Sequence, residues 1–390
     1  MLNGSFFHDG PVYLDDKGNI YDYSLTDQVL SRYLSVVDPL NIIIRIKIIT
    51  DIKQTKFSQI NHKNINIIPV PNLLSVKGQL FNKKKAQKII ENNVQKSDVI
   101  FARLPSITGY YAIKYAKKYS KRYLIELVGC PWDAFWHHSY KGKLVAPFMW
   151  NATKKSVKDA PYVVYVTNEF LQRRYPSTGR TIGCSDVALP TLDESVLDAR
   201  LHKIKQMTKN KPIVIGTTAA VDVRYKGQEY VIQAIAELNK QGYNFEYRLV
   251  GGGDKARLQS IAEKYSVADK VIFEGSIPHE RVFDYLDDID IYVQPSKTEG
   301  LPRALIEAMS RGCPCIGSNA GGIPELLDNA YIFSRGKFKE LATILAGFDT
   351  EKMVEQAKRN FEFSKKYAKV IIEKRRKEFF QEFAESVKNS

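Results

Sequence analysis

Runs of six to nine nearly continuous apolar residues recur through this chain, with helix-length stretches between them. That alternation constrains the fold more than any other feature. In the first half the runs are NIIIRIKII (41–49), INIIPVP (65–71), DVIFARL (98–104), RYLIELV (122–128) and YVVYVT (162–167). A strand that is apolar on both faces has to be covered on both, which predicts a parallel sheet between helices. Helical stretches near 26–36, 78–96, 108–120 and 143–158 supply the cover. A second series starts at Lys211 with PIVIGT, FEYRLVG, KVIFEGS and DIYVQPS, separated by helices near 227–240, 254–265, 279–287 and 302–312. Shorter elements hold CPCIGS and AYIFS. A chain of 390 residues exceeds one compact core, so two α/β domains are expected. The expected boundaries are 1–190 and 211–350, with a polar linker over 191–210 that holds a short helix, and a basic helical tail over 351–390 that has no strand partner.

Residues 294–327 read QPSKTEGLPRALIEAMSRGCPCIGSNAGGIPELL, with Glu299 in a loop and Glu307 eight positions later on the helix that follows. Pro302 suits the first turn of that helix, where a missing N–H costs nothing. Gly300 lets the backbone approach a ligand closely. The amides of the helix start, at the positive end of its dipole, form an anion site. A phosphate on those amides and hydroxyls on the two acids describe a nucleotide sugar.

This stretch resembles the donor-site signature of the retaining glycosyltransferases of family 4. The likeness covers the spacing of the two glutamates, the GLP turn, the Glu-Ala-Met-Ser helix, the Gly-Cys-Pro turn and the GGIPE that follows. It implies the GT-B fold: two facing Rossmann-like domains, a ligand cleft between strand carboxyl ends, and a C-terminal helix crossing back to the N-terminal domain. Relatives also carry a Lys-Gly whose lysine contacts the donor diphosphate, matched here by Lys226 and Gly227. Many have an arginine soon after the first-strand glycine, but Thr217 and Thr218 follow Gly216 in this chain. Arg224 is the expected substitute cation, since a guanidinium forks well onto phosphate, with a surface loop residue as the alternative. By the same resemblance Glu307 accepts the ribose hydroxyls, Glu299 sits by the transferred sugar, and Gly300 and Leu301 offer amides to the phosphate. Gly252, in the GGG after FEYRLV, lies near the base, although a tight strand-to-helix turn explains that run equally well. No metal is expected, because cations and amides offset the leaving-group charge and Asp287, Asp288 and Asp290 look like a helix-to-strand corner. No cofactor is expected beyond a nucleotide-diphosphate co-substrate, with a UDP-sugar favoured.

The first domain supplies weaker signals. The segment VGCPWDAFWHHSYKGK follows the strand RYLIELV. It offers Asp133 for the reacting centre and Trp132, His137 and His138 for the acceptor, since aromatic faces stack on sugar rings. Packing of Trp132 and Trp136 on the next helix is the alternative. Gly10 in FFHDGPVY is placed at a first-strand turn near the phosphates, and Arg103 in ARLPS toward the acceptor.

The net charge of +15 is uneven, with 27 basic against 16 acidic side chains in residues 1–195. Lys83, Lys84, Lys85 and Lys88 form one cluster. A second, Lys114, Lys117, Lys118, Lys121 and Arg122, is interleaved with Tyr110, Tyr111, Tyr115 and Tyr119; Lys154, Lys155 and Lys158 form a third. Aromatic rings and cationic stems at helical spacing suit a lipid interface, and a solvated helix face is the alternative. No nucleic-acid motif accompanies the charge, so an anionic membrane surface is the expected partner and nucleic acid is not. No apolar run is long enough to cross a bilayer, and the first residues do not read as a signal peptide. Cys130, Cys184, Cys313 and Cys315 lack a disulfide or zinc spacing. The expectation is a cytoplasmic enzyme held peripherally on the inner face of the cell membrane. It would pass a hexose to a lipid-linked saccharide in capsule, exopolysaccharide or O-antigen synthesis. The alternatives are a soluble acceptor, or a non-catalytic partner subunit of the same fold.

Overall fold

The computed structural model describes residues 2–22, 24–49, 57–75, 77–137, 140–208 and 210–388. The chain forms two compact units. One comprises Met1–Trp132, Leu144–Cys184 and Glu373–Ser390, the other Asp133–Lys143 and Ser185–Ile372.

The first unit holds strands β1 (Leu2–Leu14), β2 (Ile20–Asp22), β3 (Val37–Ile48), β4 (Ser58–Gln59), β5 (Ile65–Pro69), β6 (Val99–Leu104), β7 (Arg122–Leu127), β8 (Tyr162–Tyr165) and β9 (Arg180–Gly183). Parallel ladders run in the order β5-β3-β1-β6-β7-β8-β9, while β2 returns antiparallel on β1 and β4 pairs with β2. The five apolar runs of the first half are β3, β5, β6, β7 and β8. Gly10 does not end the first strand. It lies inside β1, in the register shift between Phe7 and Pro11 against β3. This irregularity has a use: the neighbouring Asp9 accepts from the Ile107 and Thr108 amides and the Thr108 hydroxyl. A carboxylate there satisfies the open amides of the helix Ile107–Lys118 and complements its dipole.

Helices Lys83–Lys96, Ile107–Lys118 and Tyr140–Lys158 cover one sheet face through a shared cluster that includes Ile90, Val94, Ala112, Ala116 and Val157. On the other face the rings of Tyr33, Phe101 and Phe380 pack with centroids 5.0–5.6 Å apart. Phe380 belongs to the helix Lys369–Lys388, which Arg180 also grips through both Glu382 oxygens at 2.8 and 3.1 Å. The tyrosines of Ile107–Lys118 do not make an outward lipid-facing belt. Tyr115 is buried, Tyr110 bonds Thr153, and Tyr119 and Lys118 share Glu91. Phenols that can bury the ring and still satisfy the hydroxyl favour the interior.

The second unit holds β10 (Ile213–Thr218), β11 (Phe245–Val250), β12 (Val271–Gly275), β13 (Ile291–Gln294), β14 (Cys315–Ser318) and β15 (Ile332–Phe333), all parallel, in the order β12-β11-β10-β13-β14-β15. Two stretches differ from expectation. The short helix expected in the linker, Glu194–Lys205, is no linker but part of this unit, with Ile204 in its core. Arg200, almost fully buried, donates to the carbonyls of Leu286, Ile289 and Arg311 at 2.5, 2.6 and 3.2 Å. The tail does not leave at residue 351 either. Helix Thr350–Ser364 buries Met353 and Ala357 in the same core, and only Glu373 onward joins the first unit.

Arg200→Met keeps the aliphatic stem and takes its donors from the Leu286 and Arg311 carbonyls, while the Ile289 carbonyl keeps Lys203 Nζ at 3.0 Å. It is expected to lower the unfolding free energy by about 2–4 kcal/mol, read by urea denaturation. A change under about 0.5 kcal/mol would mean that these carbonyls find other partners.

Candidate functional site

The strand order of the second unit reverses between β10 and β13, parallel neighbours whose following connections lead to opposite sides of the sheet. Loops beyond the carboxyl ends of two such strands diverge and leave a crevice, the usual ligand position in an open α/β sheet. The loop after β10 carries Arg224, Lys226 and Gly227; the loop after β13 carries Glu299, Gly300 and Leu301.

Backbone contacts fix these loops against each other. Gly227 has φ +75°, and a Cβ there would stand 2.1 Å from the Pro295 carbonyl oxygen. No other residue tolerates both the left-handed backbone and the approach. The Lys297 amide donates to the Tyr225 carbonyl at 2.7 Å. On the far side Gly321, φ +56°, lies against the Glu299 carbonyl, and the Gly322 amide donates to Gly300 O at 2.7 Å. Lys226 and Glu299 are thereby brought together, Nζ to Oε1, at 2.7 Å. The same oxygen accepts from Ser296 Oγ at 2.7 Å and Gln294 Nε2 at 3.1 Å. Glu299 Oε2 has no partner among the described residues.

Pro302 stands one residue outside the helix Arg303–Ser310, as its N-cap. The amides of Gly300, Leu301 and Arg303 find no acceptor among the described residues, so a row of donors opens at the positive helix end. Glu307 is buried on this helix, and its Oε1 lies 3.1 Å from His279 Nε2. Gly252 is exposed in the adjoining loop after β11, where its carbonyl accepts from the Val221 amide at 3.0 Å. Arg224 is exposed, and its guanidinium has no partner among the described residues. Asp287 instead pairs with Arg311 at 2.8 Å and Asp290 with Lys203 at 3.0 Å, which ties that corner to its own neighbours.

Asp133 packs with the second unit, not the first; it is buried, and its Oδ1 lies 3.9 Å from Arg335 Nη1. Arg335 donates to the Lys297 carbonyl at 3.2 Å, so Asp133 stands near the Glu299 loop. His137 is half-buried in the same segment. Burial, then the charges of Arg335, Lys297 and Lys143, outweigh Asp133 and hold its pKa below the usual value. His138 lies outside the described residues. Trp132 packs on the first unit's core, edge-on to Trp150 at 6.3 Å. Arg103 donates to the buried Glu126 at 3.1 Å, beside the Tyr33 hydroxyl that bonds the same carboxylate oxygen at 2.7 Å. Gly10, Trp132 and Arg103 all belong to the first unit.

A family model described as "Glycosyl transferases group 1" matches residues 199–367, which hold Lys226, Glu299 and Glu307. Over 338 residues the chain is 32% identical to Protein CapJ of Staphylococcus aureus, covering 84% of this chain and 81% of that protein. The chain belongs to the group 1 glycosyltransferases. It is also 35% identical over 147 residues to a putative colanic acid biosynthesis glycosyltransferase, WcaL of Escherichia coli K12, covering 34% of this chain and 36% of that one. The Anabaena protein HepE, solved in complex with UDP, superposes over the full length of both chains with a TM-score of 0.64 at 17% identity. The transferase has the GT-B fold.

Three side chains at the transferase site escape sequence reasoning: His279, Lys297 and Arg335. Lys297 donates to Glu229 at 3.1 Å, and Glu229 also accepts from Arg257 at 3.4 Å. The hydrogen bond to Glu307 raises the His279 pKa above its ordinary 6.5, against partial burial. A raised folded-state pKa gives a contribution that is complete below about 6.5 and fades as pH climbs through the folded value. NMR titration of the His279 ring is expected to show the raised pKa, falling back toward about 6.5 in Glu307→Gln. An identical midpoint in both proteins would separate the two side chains.

Proposed function

We propose that this glycosyltransferase moves a hexose with retention from a nucleotide-diphosphate sugar, most simply a UDP-sugar, to a membrane-held, lipid-linked saccharide. The observation that carries the reading is the Lys226–Glu299 contact of 2.7 Å at the strand-order reversal, beside unbonded helix-start amides. A diphosphate on those amides meets the Lys226 ammonium, with Arg224 exposed on the same turn as a second cation. Glu307 has an oxygen left for ribose hydroxyls while His279 holds the other. Glu299, fixed through Oε1 by three donors, keeps Oε2 for a hydroxyl of the transferred sugar.

In the reaction the bond from the anomeric carbon to the diphosphate oxygen breaks, and a bond from that carbon to the acceptor hydroxyl oxygen forms on the same face. The hydroxyl proton passes to the departing phosphate oxygen. Negative charge grows on the diphosphate as the bond lengthens, and groups already aimed at it stabilise the transition state without reorganising. No metal enters this account. The capsule, exopolysaccharide or O-antigen setting draws support from the likeness to the colanic acid transferase. A UDP donor draws support from the UDP-bound Anabaena neighbour. The cytoplasmic face of the cell membrane is the setting that a lipid-linked acceptor and the basic first unit favour.

Glu307→Ala is expected to weaken UDP binding by about 1.5–3 kcal/mol, or roughly 10- to 150-fold in Kd, measured by calorimetry; an unchanged Kd would take Glu307 out of the site. Lys226→Ala should lower turnover far more than it alters unfolding, and normal kinetics would move the phosphate contact to Arg224. Turnover should persist in EDTA; loss in EDTA with rescue by manganese or magnesium would contradict the metal-free account.

A further inference from the structure

The first unit carries an apolar projection that its own fold does not use. Residues 72–75 and 77–82 are bonded to one another as a tight hook. The Leu74 amide bonds Asn72 Oδ1 at 2.9 Å, Gln79 Nε2 bonds Leu73 O at 2.7 Å, and the Gly78 amide bonds Ser75 Oγ at 3.0 Å. A Cβ on Gly78 would stand 2.0 Å from the Asn72 carbonyl oxygen, so the hook closes only around glycine. The wide helical turn Gly78–Asn82 it supports points Leu80 and Phe81 outward, 73% and 81% exposed. Two adjacent, exposed large apolar side chains on one turn form a candidate contact site.

Their surroundings select the partner. Lys83, Lys84, Lys85 and Lys88 follow at once on the helix Lys83–Lys96, all exposed. Lys85 and Ile89, on the helix that follows this turn, line a groove of about 430 Å³ at the carboxyl ends of β3 and β5. Arg45 and Lys47 line it too, and the ammonium groups of Lys47 and Lys85 have no partner among the described residues. An apolar tip backed by cations complements an anionic bilayer: hydrocarbon for the tip, phosphate headgroups for the ring and groove. We propose that the Leu80–Phe81 turn is a wedge that seats the first unit in an anionic phospholipid surface. The wedge deepens the membrane-held acceptor reading and rests on it. It moves the lipid contact from the tyrosine helix, whose rings face inward, to this turn.

The test uses the full chain with vesicles of phosphatidylglycerol mixed into phosphatidylcholine, and of phosphatidylcholine alone, at low salt. Wild type is expected to sediment with the anionic vesicles only and to be released by salt. Leu80→Ser/Phe81→Ser should lose at least about tenfold in partitioning. Replacing Lys83, Lys84, Lys85 and Lys88 with Gln should lose roughly fivefold per lysine. UDP calorimetry run in parallel should be unchanged in both variants. Wild type that ignores anionic vesicles, or a serine variant that binds them as well as wild type, overturns the wedge. So does a serine variant that instead abolishes concentration-dependent self-association in the ultracentrifuge, because the turn then belongs to a second copy of the chain. Failure of wild type to bind UDP would sink the donor-site reading and leave the wedge standing on its own vesicle result.

Discussion

The donor side of this molecule depends on one close backbone approach, that of Gly227 to the carbonyl of Pro295. Without it the loops after β10 and β13 could not share a wall, and Lys226 could not meet Glu299. The pair is mostly shielded, with side chains 24% and 12% exposed. At that depth the attraction alone barely repays desolvation, so its worth lies in position. The ammonium stays fixed by a carboxylate that is itself fixed by Ser296 and Gln294. Removing either partner leaves a charge with no counterpart beside the helix-start amides.

The second sheet was legible because its strands are short, mostly apolar runs bounded by turn residues. In the first, the five apolar runs were legible, while the short β2, β4 and β9 leave no apolar run to read and function-like residues interrupt β1. His8, Asp9, Gly10 and Pro11 break the apolar pattern of β1, so Gly10 reads as a turn although the strand continues past it. Arg103 reads as an acceptor contact because its partner, Glu126, is hidden inside the apolar run RYLIELV and bonded to the Tyr33 hydroxyl. The helix Glu194–Lys205 was readable as a helix but not as part of the second unit, because Arg200 bonds three carbonyls that no local pattern connects to it.

Within the site the short-range relations were readable and the long-range ones were not. Glu299 and Glu307 share one motif, and Lys226 announces itself by the glycine after it. His279 reaches Glu307 across 28 residues, and Arg335 reaches Lys297 across 38. Such contacts join the loops after β12, β13 and β15, strands that are not neighbours in the sheet, and leave no trace in spacing. The tyrosine–lysine helix erred the other way. Its spacing was real, but the rings had Glu91 and Thr153 to bond and went inward.

The central claim is that a nucleoside diphosphate binds where the order of the second sheet reverses, on the loops that carry Lys226 and Glu299. Amide hydrogen exchange with and without UDP tests it most directly, since the donors expected to receive the phosphate have no acceptor among the described residues now. Slowed exchange confined to segments 217–228 and 296–308 is the predicted result. No protection in either segment at saturating UDP, or protection only in the first unit, would contradict the account.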